Sequence, residues 1–148
     1  HSAETTVALS NHKNIIGIKE PSGDLSQCMQ ILHNASPSHF FVLSGDDLIT
    51  FPLISCGAIG VISVLSNLKP LEFGNMVQLA LKGNFVKARK ILFNLLELNE
   101  CMYAEGNPSG IKEALHIYGI CENYVRPPLS TVSRKLAVRI RELVIGDH

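Results

Sequence analysis

An α/β fold, in which short parallel strands alternate with helices before the chain turns wholly helical, is predicted by three observations. Apolar runs at residues 14–19, 40–43 and 61–64 are too short for helices, and the first two end in turn-forming residues. The stretches between them carry apolar residues at helical spacing. From Pro70 onward only the helical period remains. Strand, helix, strand, helix, strand joined by right-handed crossovers lays the strands side by side in parallel.

Each element has its own signal. Residues 3–10 read as the end of an amphipathic helix with Val7 and Leu9 inward, and Asn11-His12-Lys13 as its exit. The first strand ends at Lys19 and is stopped by Pro21-Ser22-Gly23. Asp24 can cap the next helix, with Gln27 three residues on and Leu25, Cys28, Met29 and Leu32 on one face, ending between residues 34 and 38. The second strand closes in Ser44-Gly45-Asp46-Asp47, a helix follows over about 48–55, and Gly57 to Gly60 turns the chain into the third strand. Pro70 suits a first helical position, with Leu71, Met76, Leu79 and Ala80 as the apolar stripe before Gly83. Residues 85–102 form the longest helix, with Val86, Ile91, Leu92, Leu95, Leu96 and Leu98 inward. A further helix covers 108–118, residues 125–128 make a stiff linker, and Ser130 or Thr131 caps a last helix running to about 144.

Composition narrows the function classes. With 148 residues, 46% hydrophobic and 18% charged, the chain can bury a sizeable globular core. Thirteen basic residues balance thirteen acidic ones, and no basic face is visible, so neither nucleic acid nor an anionic membrane surface is an expected partner. Cys28, Cys56, Cys101 and Cys121 are widely spaced and read as buried, reduced thiols, which fits a cytoplasmic location. No stretch reads as a secretion leader or membrane span, so the Asn34-Ala35-Ser36 sequon reads as a chance match. No metal is expected: Asp46 and Asp47 are adjacent carboxylates that point apart, Asp47 reads as a helix cap, and His33, His39 and His116 share no ligand spacing.

Lys19 is the candidate nucleophile. In an α/β protein the C-terminal ends of the strands form the rim where ligands bind. An amine there, at the edge of an apolar layer, is poorly hydrated in its charged form, which favours the free base and nucleophilic attack on a carbonyl. The plainer alternative is a lysine reaching into water from a strand end. Gly45, at the end of the second strand, reads either as a turn glycine or as a place where a ligand approaches the backbone. Glu20 orients its neighbours or pairs a charge, and Ile62 by its side chain alone is a core residue.

Three motifs, Gly17-Ile18-Lys19-Glu20-Pro21-Ser22-Gly23-Asp24, Leu43-Ser44-Gly45-Asp46-Asp47 and the 57–67 string GAIGVISVLSN, resemble in order and spacing the second half of the dihydrodipicolinate synthase family. That family lies among the class I pyruvate-dependent aldolases, with N-acetylneuraminate lyase. The resemblance implies the C-terminal part of a (β/α)8 TIM barrel over residues 1–83, followed by a C-terminal helical region over 84–148. Three strands cannot close a barrel, which needs roughly eight, so the chain reads as incomplete.

The resemblance further implies that Lys19 forms an imine with pyruvate, that Gly45 leaves room beside it, and that the Ile62 carbonyl lies against the bound pyruvate. The second substrate would be aspartate semialdehyde, on the route to diaminopimelate and lysine. No cofactor is implied, and a cytoplasmic homotetramer is. The family's proton-relay tyrosines match positions before His1, so Tyr103, Tyr118 and Tyr124 are assigned no such part, and the chain alone is expected to be nearly inactive. Asn107-Pro108 matches a family motif whose next residues are more often Ile-Pro; Ser109-Gly110 here implies a less rigid helix start. The alternatives are a sister activity, N-acetylneuraminate lyase or an oxo-sugar-acid aldolase, and a non-catalytic α/β assembly module.

Overall fold

The structure, a computed structural model, describes residues 2–35 and 40–146. His39 and Ser36 of the sequon lie outside them. Helix α1 (Ala3–Ser10) precedes strand β1 (Gly17–Glu20), helix α2 (Leu25–Asn34), strand β2 (Phe41–Ser44), helix α3 (Thr50–Ser55) and strand β3 (Gly60–Val61). A 3-10 turn (Leu65–Asn67) leads into α4 (Pro70–Leu81), α5 (Phe85–Tyr103), α6 (Ser109–Ile117) and α7 (Arg134–Ile145). The strands are parallel in the order β1-β2-β3, with Lys19 beside Leu43, Glu20 beside Ser44, and Ser44 beside Val61.

The helices and crossovers keep to the sequence pattern where a local signal sets them. Asp24 caps α2 by accepting from the Gln27 amide at 3.1 Å, and Pro70 opens α4. Beyond β1, which begins at Gly17 rather than residue 14, two boundaries and one inward face differ. The third strand is two residues long rather than 61–64, because Val64 already turns into the 3-10 segment. Ser133, not Ser130 or Thr131, caps α7, accepting from the Leu136 amide at 3.2 Å. In α1 the buried residues are Thr6 and Ser10, four apart and on one face, so Leu9 projects outward.

Two apolar clusters hold the chain together. One lies between the sheet and α2 and α3, built from Cys28, Ile31, Phe40, Val42, Leu53 and Ala58. The other runs from Ile54 through α4, α5, α6 and α7 to Val144. The buried stripe of α4 is Phe73, Met76, Val77 and Ala80; Leu71 is 84% exposed because it lies on the far side of that stripe. The α5 stripe is Ala88, Leu92, Leu95, Leu98 and Met102, which leaves Val86 and Leu96 outward. Cys28 and Cys101 are buried as expected, whereas Cys56 and Cys121 are exposed, on a helix end and a surface loop. The start of α6 is pinned: Ser109 Oγ donates to the Ser130 carbonyl at 2.6 Å, and a Cβ at Gly110 would collide with the Met102 backbone. Its expected looseness is therefore not observed.

Candidate active site

Successive side chains of a strand point to opposite faces, and here the two faces differ in kind. Glu20, Val42 and Ser44 point under α2 and α3 and are buried. Lys19 and Phe41 point the other way, and with Gly17, Leu43 and Ile59 they line a cleft of about 290 Å³. Phe41 and Ile59 stay close to half exposed there, 47% and 49%, because no helix among the described residues covers that face.

Lys19 lies at the C-terminal end of β1, lining this cleft, and among the described residues no ion pair holds it. It is exposed. The dehydrated setting expected from the sequence is not met, since the apolar layer touches the lysine from one side only.

Gly45 is the residue nearest in kind to a constraint on that lysine. Its amide donates to the Glu20 carbonyl at 2.8 Å, so the β2 exit is clamped to the β1 exit. A Cβ on Gly45 would sit 2.8 Å from both Lys19 Cε and Pro21 Cβ, closer than side chains tolerate. The lysine stem and the proline therefore occupy the space that any other residue would fill.

Glu20, directly after the lysine, faces the helix layer and is only 5% exposed. Its carboxylate accepts from Ser22 Oγ at 2.7 Å, from the Ser22 amide at 3.3 Å, from Gln27 Nε2 at 3.3 Å and from Cys28 Sγ at 2.9 Å. Four donors on one carboxylate make it the knot that joins β1, its exit loop and α2. Burial, then the bond to Glu20, pushes the Cys28 thiol up to about 12. That thiol is a fixed donor, not a nucleophile.

The amide of Ile62 donates to the Ser44 carbonyl at 2.9 Å, and its side chain is half exposed. Asp46 and Asp47 divide the capping differently from the expectation. Asp46 Oδ1 accepts from the Leu48 and Ile49 amides ahead of α3, while Asp47 Oδ2 reaches 17 and 18 residues along to the Val64 and Leu65 amides. Tyr103 of α5 also donates to Asp47, at 3.4 Å, and burial followed by that carboxylate raises its phenol. No local spacing announces a contact between residues so far apart in sequence, which is why the sequence reading missed it. Glu20, read from the sequence as orienting its neighbours or pairing a charge, does the first through Ser22, Gln27 and Cys28. Among the described residues no group of three potential metal ligands comes together, and no helix is long and apolar enough to cross a membrane.

Comparison with known proteins returns one consistent group. The profile of the dihydrodipicolinate synthetase family matches residues 2–145. A 4-hydroxy-tetrahydrodipicolinate synthase from Cytophaga hutchinsonii is 48% identical over 141 residues, 95% of this chain and 47% of that protein. The crystal structure of dihydrodipicolinate synthase from Aquifex aeolicus superposes with a TM-score of 0.92 at 35% identity, over 98% of this chain and 50% of that one. A chloride-inhibited synthase from Acinetobacter baumannii, complexed with pyruvate, gives 0.91 at 28% identity over 97% and 49%. The chain spans about half the length of the relatives it matches.

Proposed function

The chain belongs to the dihydrodipicolinate synthetase family, and from that premise we propose that it supplies the imine-forming lysine of a pyruvate-dependent lyase. The three strands are then an arc of a (β/α)8 barrel over residues 1–83, and the bare, half-exposed face bearing Phe41 and Ile59 is the part of the barrel interior that further strands would cover. Residues 84–148 form the helical region appended to it. The observation that carries the reading is Lys19, near the C-terminal end of β1 and in no ion pair among the described residues, lining the cleft along the bare face, with Gly45 leaving its stem the space it occupies.

The chemistry follows from an amine in that place. Lys19 Nζ, as free base, attacks the carbonyl carbon of pyruvate, and loss of water leaves a protonated imine. The cationic nitrogen draws electrons, so a base can remove a proton from the adjacent methyl group. The enamine carbon so formed attacks the aldehyde carbon of aspartate semialdehyde, the nitrogen lone pair re-forms the C=N bond as the protonated imine, and the aldehyde oxygen takes up a proton. The Ile62 carbonyl, one peptide unit beyond the amide held by Ser44, lies against the bound pyruvate on this reading. No cofactor enters.

The curated relatives named as synthases favour aspartate semialdehyde over the substrates of the sister lyases. A cytoplasmic homotetramer acting in lysine and diaminopimelate synthesis is the corresponding assignment. Within this chain no tyrosine serves the proton transfers: Tyr103 is bonded to Asp47, and Tyr118 and Tyr124 belong to the helical region. Losing a positioned acid or base costs a factor of roughly 10² to 10⁴ in rate, so the chain by itself turns over slowly while still forming the imine. Incubation with pyruvate and borohydride, followed by peptide mapping, tests this. An adduct on Lys19 is expected; its absence, or one confined to another lysine, overturns the reading.

A further inference from the structure

The peptide units after β3 are held from both ends. Ile62 is fixed at its amide by the Ser44 carbonyl at 2.9 Å, and two residues on the Val64 and Leu65 amides are fixed by Asp47 Oδ2 at 3.0 and 2.8 Å. Only the Ile62 and Ser63 carbonyls lie between these anchors, so the Ile62 carbonyl is bracketed by a held amide on each side. Asp47 is 1% exposed, and its second oxygen, Oδ1, has no partner among the described residues. Burying a carboxylate with one oxygen unsatisfied is unfavourable, and an apolar side chain in its place would avoid that cost. What no apolar side chain can do is hold two main-chain N–H groups.

We propose that Asp47 is a positioning residue that aims the Ile62 carbonyl at the oxo acid bound on Lys19, with Tyr103 of α5 donating to the same carboxylate oxygen that holds the two amides. The inference rests on the imine reading above and goes beyond it by naming what fixes the one main-chain contact that reading invokes. Asp47 touches no substrate and acts through the backbone.

The test compares two carbonyl probes on the 148-residue chain. Pyruvate lies against the Ile62 carbonyl once its imine forms; acetaldehyde, which also condenses with Lys19 but is the smaller molecule, does not fill the space beside that carbonyl and so does not depend on its direction. Each is reduced onto the protein with borohydride at subsaturating concentration, and the adduct is counted on the Lys19 peptide. Asp47→Ala is expected to lower pyruvate trapping about tenfold and to leave acetaldehyde trapping within twofold of the parent. Asp47→Asn, which keeps an acceptor oxygen for the two amides, is expected to retain both. Val64→Pro, which deletes one of the two donors at a residue whose φ is already −85°, gives a milder loss confined to pyruvate and serves if the alanine variant does not fold.

Equal loss of both probes in the variants reduces Asp47 to a structural role and overturns the proposal, as does undiminished pyruvate trapping. Absence of any Lys19 adduct in the parent chain is a different failure: it overturns the imine reading and this inference with it.

Discussion

The two faces of the three-stranded sheet are built from the same ten strand residues and do opposite things. On the helix-covered face a polar residue survives only by being fully bonded: Glu20 has four donors and Ser44 Oγ donates to the Asp46 carbonyl at 2.7 Å. On the bare face Lys19 has no ion-pair partner among the described residues and stands beside apolar side chains. Strand alternation alone assigns consecutive residues to these two fates. The difference teaches that Lys19, proposed above as the reactive group, is backed by a bonded layer on the opposite face of the sheet.

Breaking the bare face should have the largest effect. Lys19→Met is expected to abolish the borohydride-trapped pyruvate adduct while leaving the circular dichroism spectrum and unfolding midpoint unchanged, because an exposed lysine contributes little to packing. Gly45→Ala comes next. Its Cβ would meet Lys19 Cε and Pro21 at 2.8 Å, so the lysine stem must shift; trapping on Lys19 should fall about tenfold, and overpacking should cost about 1 to 3 kcal/mol in urea denaturation.

Breaking the covered face should read out as stability first. Glu20→Ala strands several buried donors and is expected to cost about 2 to 3 kcal/mol, with Glu20→Gln costing less because the amide oxygen still accepts. The same network gives a pH signature. The Cys28 thiol is raised from 9.0 to about 12, so the folded state keeps a proton that the unfolded chain releases. Its contribution is fully present below pH 9 and is lost as pH rises from there toward about 12, which pH-dependent urea melts of the parent and Cys28→Ala would resolve. Native-state alkylation should spare Cys28 and label the exposed Cys56 and Cys121.

The smallest effect belongs to the helical region, far from either face. Glu105 accepts from the Ser133 amide and hydroxyl at 2.7 and 2.6 Å, and these bonds hold its carboxyl below the usual range. A lowered carboxylate stabilises the fold above its unfolded pKa, and that contribution is lost as pH falls through the folded value. Protection of the amides at the start of α7, corrected for intrinsic exchange, should therefore fall in acid, and Ser133→Ala, which removes the hydroxyl bond but keeps the amide bond, should weaken that pH dependence.

How far the sequence revealed this depends on the range of the interaction. Asp24 before α2, Pro70 at the head of α4 and the stop of β1 before Pro21 are local signals, and the structure keeps all three, with β1 ending at Glu20 rather than Lys19. The inward faces of long helices were less legible. Residues such as Leu71 and Val86 fit an apolar count but lie off the 3.6-residue stripe that meets the neighbouring helices. Ser133 wins the α7 cap over Ser130 because Glu105, 28 residues earlier, holds it in place. Asp47 was read as an ordinary cap for the same reason: its partners are 17 and 18 residues away.

The most direct test of the two-faced account is selectivity under denaturation. The chain is treated with pyruvate and borohydride once folded and once in urea, and adducts are mapped across all its lysines. Lys19 is expected to dominate in the folded chain and to lose its preference when unfolded. A folded chain whose lysines are labelled indiscriminately, Lys19 among them, would contradict it.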